Sequence, residues 1–249
     1  MIILKSPQEI ATMREANQIV AEILETLKEK ATPSTTTLEL NEWAERLARK
    51  RKAKCAFKGY RGFPYALCTS INEVVVHGLP SHYALKEGDI LSLDFGILYK
   101  GFYGDAAITI PIGAASKGAE RLIRTTRECL EKAIEKMHEG GRLADISAAI
   151  QEYAEFHGYS VVRDFVGHGI GRELHEDPQV PNYGTPGTGI RLKKGMVLAI
   201  EPMVNSGHHG VKVLQDGWTA VTVDSCLSAH FEHSVAITEN GPYILSVPM

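Results

Sequence analysis

Apolar residues recur at helical spacing soon after the chain begins, with Met13, Ala16, Val20, Ile23, Leu24 and Leu27 sharing one face. Ser6-Pro7-Gln8-Glu9, just ahead of them, has the makings of a helix start: a capping serine, a proline at the first helical position, and a glutamate that reaches back. Thr36 with Glu39 predicts a second capped helix, carrying Leu40, Trp43, Ala44, Leu47 and Ala48. From about Cys55 to Pro111 the pattern turns strand-like and is punctuated by Gly59, Gly62, Pro64, Gly78 and Pro80. The order then starts again. Leu122, Ile123, Leu130, Ala133, Ile134 and Met137 predict a third helix closed by Gly140-Gly141. Leu143, Ile146, Ala149, Ile150, Tyr153 and Ala154 predict a fourth, and strand-like sequence with Gly-rich turns returns from Tyr159.

Each round carries one copy of the same phrase. Lys86-Glu87-Gly88-Asp89-Ile90-Leu91-Ser92-Leu93-Asp94 returns 107 positions later as Lys193-Lys194-Gly195-Met196-Val197-Leu198-Ala199-Ile200-Glu201. Both copies end an apolar strand on a carboxylate. An ionised side chain there is costly unless something pairs with it, and two in matching places suggest one shared cation, with a metal ion as the obvious candidate. The pattern reads as two related α+β halves, about 1–115 and 116–249, joined near Ser116, with their strands in one sheet and helices behind it. Nothing suggests separable domains, so the whole of 1–249 is expected to form a single domain. One repeat of this length is too long and too few for a solenoid.

Composition narrows the class of protein. The 249 residues are 44% apolar and 23% charged, the balance of an ordinary globular protein large enough for a sizeable core. A net charge of −3 and a pI near 6.4 give no electrostatic reason for a nucleic acid or a membrane as main partner. The basic run Arg49-Lys50-Arg51-Lys52 reads as a solvated helix end. Cys55, Cys68, Cys129 and Cys226 show no C-x-x-C spacing, which fits a reducing compartment and excludes a disulfide framework. Met1-Ile2-Ile3-Leu4 is too short for a signal-peptide core and no apolar run approaches the ~20 residues of a membrane span, so a cytoplasmic location is expected.

The chemistry lies in a few residues. Gly96, Gly101 and Gly104 between Asp94 and Asp105 suit a hairpin that would bring the two carboxylates side by side; a bare turn aspartate is the competing reading of Asp105. Gly167-His168-Gly169-Ile170-Gly171 sets one imidazole where the backbone can approach closely, with His175 seven residues on. The setting lacks the strand-turn-helix context of a nucleotide loop. Glu201 ends the second repeat, and Glu232 stands just before the apolar strand Ser234-Val235-Ala236-Ile237. Four carboxylates and an imidazole form a hard, oxygen-rich donor set suited to Mn, Fe(II), Co or Zn. A single metal rarely takes four carboxylates, whereas two bridged metals would.

These residues, with Thr69-Ser70-Ile71-Asn72-Glu73-Val74-Val75-Val76-His77-Gly78, Glu201-Pro202-Met203 and Phe231-Glu232-His233, resemble the methionine aminopeptidases in order and spacing over nearly the whole chain. The resemblance implies the α+β pita-bread fold: two pseudo-symmetric halves sharing one curved antiparallel sheet with helices on its outer face. It is to the short type I form, since 33 positions from His168 to Glu201 and 31 from Glu201 to Glu232 leave no room for the type II insertion. It implies two divalent metal ions held by Asp94, Asp105, His168, Glu201 and Glu232, with Asp105 and Glu232 bridging. It also implies catalytic roles for His77, His175 and Glu201, and as substrate the N-terminal methionine of nascent polypeptides with a small second residue. A monomer is implied too, while the sequence leaves open whether the protein docks at the ribosome.

For the methionine pocket the residues chosen are Tyr60, Phe63, Cys68 and Trp218, with Phe57 and Leu174 nearby, because aromatic and sulfur surfaces suit a thioether. Leu174 stands where an aromatic often precedes the histidine in bacterial relatives, and Phe57 and Phe63 replace residues often seen as Cys and Tyr. With His77 and His175, these six residues make up the expected substrate-binding set. His82, His138, His157, His208, His209, His230 and His233 are expected at the surface. Asp94-Phe95-Gly96 also resembles the D-x-G phrase of prolidase and aminopeptidase P, so an Xaa-Pro peptidase on the same fold is the alternative. A non-enzymatic binding protein on that fold is the weaker one, since all five ligand positions persist.

Overall fold

The computed structural model describes residues 1–248. Two helices open the chain, α1 (Pro7–Lys30) and α2 (Thr37–Lys50). They are followed by β1 (Lys54–Cys55), β2 (Leu67–Ile71), β3 (Val74–Val76) and a long hairpin of β4 (Ile90–Tyr99) and β5 (Phe102–Pro111). The second round begins with α3 (Lys117–Ile134) and α4 (Leu143–Phe156), then β6 (Ser160–Val161), β7 (Gly167–Gly169), β8 (Glu176–Val180) and β9 (Val197–Ile200). β10 (Met203–Asn205), β11 (Val211–Val213), β12 (Ala220–Thr222), β13 (Ser228–His230), β14 (Glu232–Thr238) and β15 (Gly241–Ile244) complete it.

Local chemistry sets the helix ends. Ser6 Oγ accepts the Glu9 N–H at 3.3 Å while Glu9 Oε2 accepts the Ser6 N–H at 2.9 Å. Thr36 and Glu39 make the same reciprocal pair at 3.2 and 2.8 Å. Ser116 caps α3, so the junction between the rounds is a helix start. The third helix stops at Ile134, earlier than Gly140-Gly141 predicts. The chain leaves it to trade backbone bonds with Leu192, through Gly140 N to Leu192 O at 3.0 Å and Leu192 N to Gly141 O at 2.9 Å.

The main sheet is antiparallel and runs β1-β4-β5-β14-β9-β7-β8, with β2 added on β4 and β15 on β14. Its centre joins β5 of the first round to β14 of the second, through Glu232 opposite Ala107 and His233 opposite Ala106. The repeated phrases occupy equivalent places. Gly88 and Gly195 turn at φ +90° and +89°, a left-handed conformation that favours glycine. Gly88 N–H donates to Ile112 O and Gly195 N–H to Ile237 O, each at 2.9 Å.

Period-two alternation divides the faces of β4. Leu91, Leu93, Phe95 and Ile97 pack against Val20, Leu24 and Leu27 of α1, whereas Asp94 points the other way. Behind β14 and β9, Leu122, Leu130 and Ile146 of α3 and α4 pack on Leu198, Ile200 and Val235. Helices therefore cover one face of the sheet and leave the other for the carboxylates. Contact between α1 and the hairpin is close at Gly104, where a Cβ would lie 2.9 Å from the Ala16 carbonyl carbon and the Asn17 nitrogen. Asn17 completes the joint: its Oδ1 accepts the Asp105 N–H at 3.2 Å and its Nδ2 donates to Met13 O at 2.9 Å.

Gly104→Ala must push α1 off the hairpin, because the obstructing atoms are backbone. The expected cost is about 2 kcal/mol, a fall in Tm of about 4–8 °C for a chain of this length. Differential scanning calorimetry checks it, and an unchanged Tm would show that the joint yields freely.

Candidate active site

Four neighbouring strands deliver the four carboxylates. β4 carries Asp94, β5 carries Asp105, Glu232 begins β14, and Glu201 follows directly on β9. Asp94 and Glu232 both stand opposite Ala107, and Asp105 lies two residues from Ala107 on the same face. Asp94 and Asp105 thus come together as diagonal neighbours across the hairpin. Asp105 sits inside a strand; the tight turn falls at Lys100-Gly101, both with positive φ. His168, on β7, stands opposite Ala199 of β9. One ligand atom each from Asp105, His168 and Glu232 lies within 4.8 Å of the others.

The cluster has few internal partners. Asp94 Oδ1, Asp105 Oδ1 and Glu232 Oε1 are buried without a hydrogen bond. Burial pushes the Asp94 carboxyl up to about 7. It raises Asp105, Glu201 and Glu232 well above the ordinary carboxylate range, and their mutual repulsion adds to it. His168 Nδ1 lies 2.9 Å from the Gly169 carbonyl, which can only accept, so the proton is on Nδ1 and the Nε2 lone pair faces inward, 3.6 Å from Glu201 Oε1. Burial lowers its pKa to about 4, keeping it neutral. Orphaned carboxylate oxygens converging with a neutral imidazole lone pair fit a divalent cation.

Two further imidazoles flank the cluster. His77 leaves the end of β3 at φ +60°, unusual for a non-glycine residue, and its ring meets Phe165 edge-on at 5.3 Å. Burial lowers its pKa. His175 stacks on Tyr60 at 5.2 Å, sits 4.3 Å from the His168 ring, and has Nδ1 2.8 Å from the Tyr60 hydroxyl. Although it reaches solvent, its pKa is lowered, first by desolvation and then by His168 and Arg61. One cleft brings together all thirteen residues singled out in the sequence: Phe57, Tyr60, Phe63, Cys68 and Trp218 with Leu174 form the walls around the two histidines and the five-residue cluster. Phe63 meets Trp218 edge-on at 5.2 Å. Cys68 stands opposite Asp94 in the strand register, and its thiol is pushed well up by burial and by that carboxylate.

His230 corrects the sequence reading. Expected at the surface, it is 2% exposed and lines the cleft, with Nε2 3.8 Å from Glu201 Oε2 and without a hydrogen-bond partner. Burial lowers its pKa to about 3. Its place two residues before Glu232 was the available signal, since an extended chain sends such residues to one face. His233 is half-buried rather than exposed, with Nδ1 2.8 Å from Ser246 Oγ, and His157 and His209 are half-buried as well. His82, His138 and His208 are exposed as expected. Arg61, Val76, Phe165 and Val166 also line the cleft and were not singled out.

The profile of Metallopeptidase family M24 matches residues 11–239, and the chain belongs to that family. The methionine aminopeptidase of Clostridium perfringens (strain 13 / Type A) is 56% identical over 247 residues, covering 99% of each chain. A crystal structure of methionine aminopeptidase from Thermotoga maritima matches with a TM-score of 0.98 at 52% identity, over 99% of this chain and 100% of that one. Within M24 the chain falls among the methionine aminopeptidases of type I. The prolidase from Pyrococcus furiosus, at 24% identity and a TM-score of 0.81 over 99% of this chain and 66% of that one, shares the pita-bread fold. Among the described residues no helix is long and apolar enough to cross a membrane.

The raised carboxyl pKa values predict how the metal-free protein responds to pH. Folded values above the unfolded ones contribute stability at low pH that is lost as pH rises through them, toward and past about 7 for Asp94. Buried histidines with lowered values add stability as pH rises to about 6.5 and nothing beyond it, so in chelator Tm should fall between about pH 6.5 and about pH 8. Added Mn(II) should abolish the fall and release protons, as followed by calorimetry in two buffers of different ionisation enthalpy. A flat Tm in chelator, or indifference to every divalent cation, contradicts the reading of the cluster.

Proposed function

We propose that the chain, acting as a single catalytic domain over 1–249, removes the N-terminal methionine from nascent polypeptides whose second residue is small. The observation that carries this is the five-residue cluster at the floor of an apolar-walled cleft, in a chain 56% identical to a methionine aminopeptidase. Asp105 and Glu232 would be shared between two divalent cations, with Asp94 completing one site and His168 and Glu201 the other. Such ions, Co, Mn, Fe(II) or Zn, would polarise the scissile carbonyl and ready a water for attack.

The side chains supply the remaining steps. Glu201 takes the proton of the attacking water on its carboxylate and passes it to the departing amine. A Tyr60 hydroxyl donating to His175 Nδ1 leaves the proton on Nε2, where it meets the carbonyl oxygen as negative charge develops. His77 hydrogen-bonds the scissile nitrogen. Phe57, Phe63, Cys68, Leu174 and Trp218 enclose the methionine side chain, with Tyr60 serving both the wall and His175.

An Xaa-Pro peptidase is the second reading, because the prolidase likeness shows that the fold is common to both activities. It is less favoured: this chain is 56% identical to the C. perfringens methionine aminopeptidase but 24% identical to the P. furiosus prolidase.

Metal-stripped protein reloaded with one cation at a time should cleave Met-Ala and Met-Gly peptides and leave Lys-Ala and Asp-Ala untouched, because a charged first residue would lose its water without gaining a partner. Leu-Ala should be rejected more weakly, since an apolar pocket separates such neighbours by about 1–3 kcal/mol. Faster turnover of Ala-Pro than of Met-Ala would replace this reading with the Xaa-Pro one.

His175→Ala should retain metal while kcat falls about 10²–10³-fold, the usual loss for one oxyanion donor. Metal content by atomic emission beside steady-state kinetics checks both halves. Loss of metal would instead make His175 a ligand.

A further inference from the structure

The first residues of the chain lie against the loop that carries His175. Lys5 N–H donates to Gly195 O at 2.7 Å, fastening the segment to the turn that precedes β9. The Lys5 side chain is 3% exposed, and its Nζ donates to Glu176 Oε2 at 2.5 Å and to Ile3 O at 3.0 Å. Glu176, 5% exposed, follows His175 directly, and its other oxygen accepts the N–H groups of Arg172 at 2.8 Å and Glu173 at 3.3 Å. Residues 171–176 are thus wound around one carboxylate, and Lys5 holds that carboxylate from the far side. Gly171 leaves the space for this: a Cβ there would lie 2.4 Å from Lys5 Cε and 2.6 Å from Glu176 Oε1. Further ties reach the same loop, from Tyr103 N to Gly171 O at 2.8 Å and from Arg172 to Glu9 of α1 at 3.0 Å.

A buried ion pair is a poor device for stability, since well-packed apolar residues of similar volume often serve as well or better. No apolar residue, however, could accept the two backbone N–H groups that shape this loop. The pair therefore serves geometry. We propose that Lys5 is a positioning residue: by gripping Glu176 it fixes the loop that presents His175 to the cleft. The proposal rests on the reading of His175 as the group that meets the scissile carbonyl. A loosened loop weakens an interaction made in the transition state, so kcat suffers and KM does not. The metal cluster stands on other strands and keeps its ions.

The test is a double-mutant cycle on the full-length, metal-loaded protein, reading kcat and KM on a Met-Ala peptide together with metal content and Tm. Lys5→Met alone should lower kcat about 10–100-fold, the scale of a catalytic group displaced by about an ångström, with KM and metal content unchanged. The variant carrying both Lys5→Met and His175→Ala should be no slower than His175→Ala alone, because Lys5 acts through His175. If the two losses multiply, or folded Lys5→Met retains normal kcat, the proposal is overturned while the functional reading stands. If His175→Ala itself is as fast as the unaltered protein, the reading of His175 fails and takes the proposal with it. Should Lys5→Met not fold, Glu176→Gln goes through the same cycle with the same outcomes, since it removes the charge pair and leaves an oxygen for the loop.

Discussion

Mutual repulsion among four carboxylates, two buried (Asp105 and Glu232) and two half-buried (Asp94 and Glu201), is the constraint around which this protein is built. Asp94, Asp105, Glu232 and Glu201 stand on four adjacent strands of one sheet face, and each is desolvated beside others of its own sign. Left to itself such a group takes up protons; beside a divalent cation it can ionise. Holding it together demands a rigid support, and the strand register supplies one: a single residue, Ala107, stands opposite both Asp94 and Glu232. The helices then have a clear task. Packed on the opposite face, α1 and α3 let the carboxylate face stay free of apolar cover, and the Asn17 bond to the Asp105 backbone joins the two layers at one point.

Duplication is an economical way to place like charges together. Each round of the chain ends its repeated phrase on a carboxylate, which falls in the middle of β4 at Asp94 rather than at a strand end and just past β9 at Glu201, and pairing β5 with β14 brings the two rounds face to face. The matching of Gly88 with Gly195, down to the bonds that each makes with Ile112 and Ile237, shows that the equivalence extends to the backbone. The imidazole falls on one side only. His168 extends the row on β7, whereas the first round has β2 beside β4, with Cys68 opposite Asp94. The cleft is asymmetric for that reason, with a nitrogen donor at one end and a sulfur-and-aromatic wall at the other.

Features carried by local pattern were legible in the sequence. Capping pairs at Ser6 and Thr36, period-two alternation through Leu91, Leu93 and Phe95, and the glycines of the repeated phrase all follow from neighbours close in the chain. The cluster was legible because a carboxylate set in or beside an apolar strand is anomalous wherever it occurs, although Asp94 falls inside β4 and not at its end as the pattern suggested. His230 was read as a surface residue despite its place two positions before Glu232; what completes its burial is not local, since β10 pairs it with Met203 and Glu201 comes within 3.8 Å. The bond from Tyr60 to His175 spans 115 positions and Lys5 to Glu176 spans 171, so neither had a periodic signature. The early end of α3 has the same origin, in a backbone exchange with Leu192 that helix propensity does not register.

Floor and walls of the cleft are therefore under different physical control. The floor is a sheet whose register fixes its carboxylates, on a fold held in common with a prolidase at 24% identity. The walls come from loops and strand ends: the turn around Tyr60 and Phe63, Trp218 just before β12, and Leu174 in the loop before β8. Loops can change sequence without shifting the floor, so selectivity for the first residue of a substrate can be altered there while the hydrolytic chemistry is preserved. His175 belongs to both regions. Its ring reaches the floor at His168 and the wall at Tyr60, and its loop is tied to the N-terminal segment through Glu176. In the proposed reaction, a histidine so placed would couple the fit of a substrate against the wall to the stabilisation of its carbonyl above the floor, and discrimination between first residues would then be expressed in kcat as well as in binding.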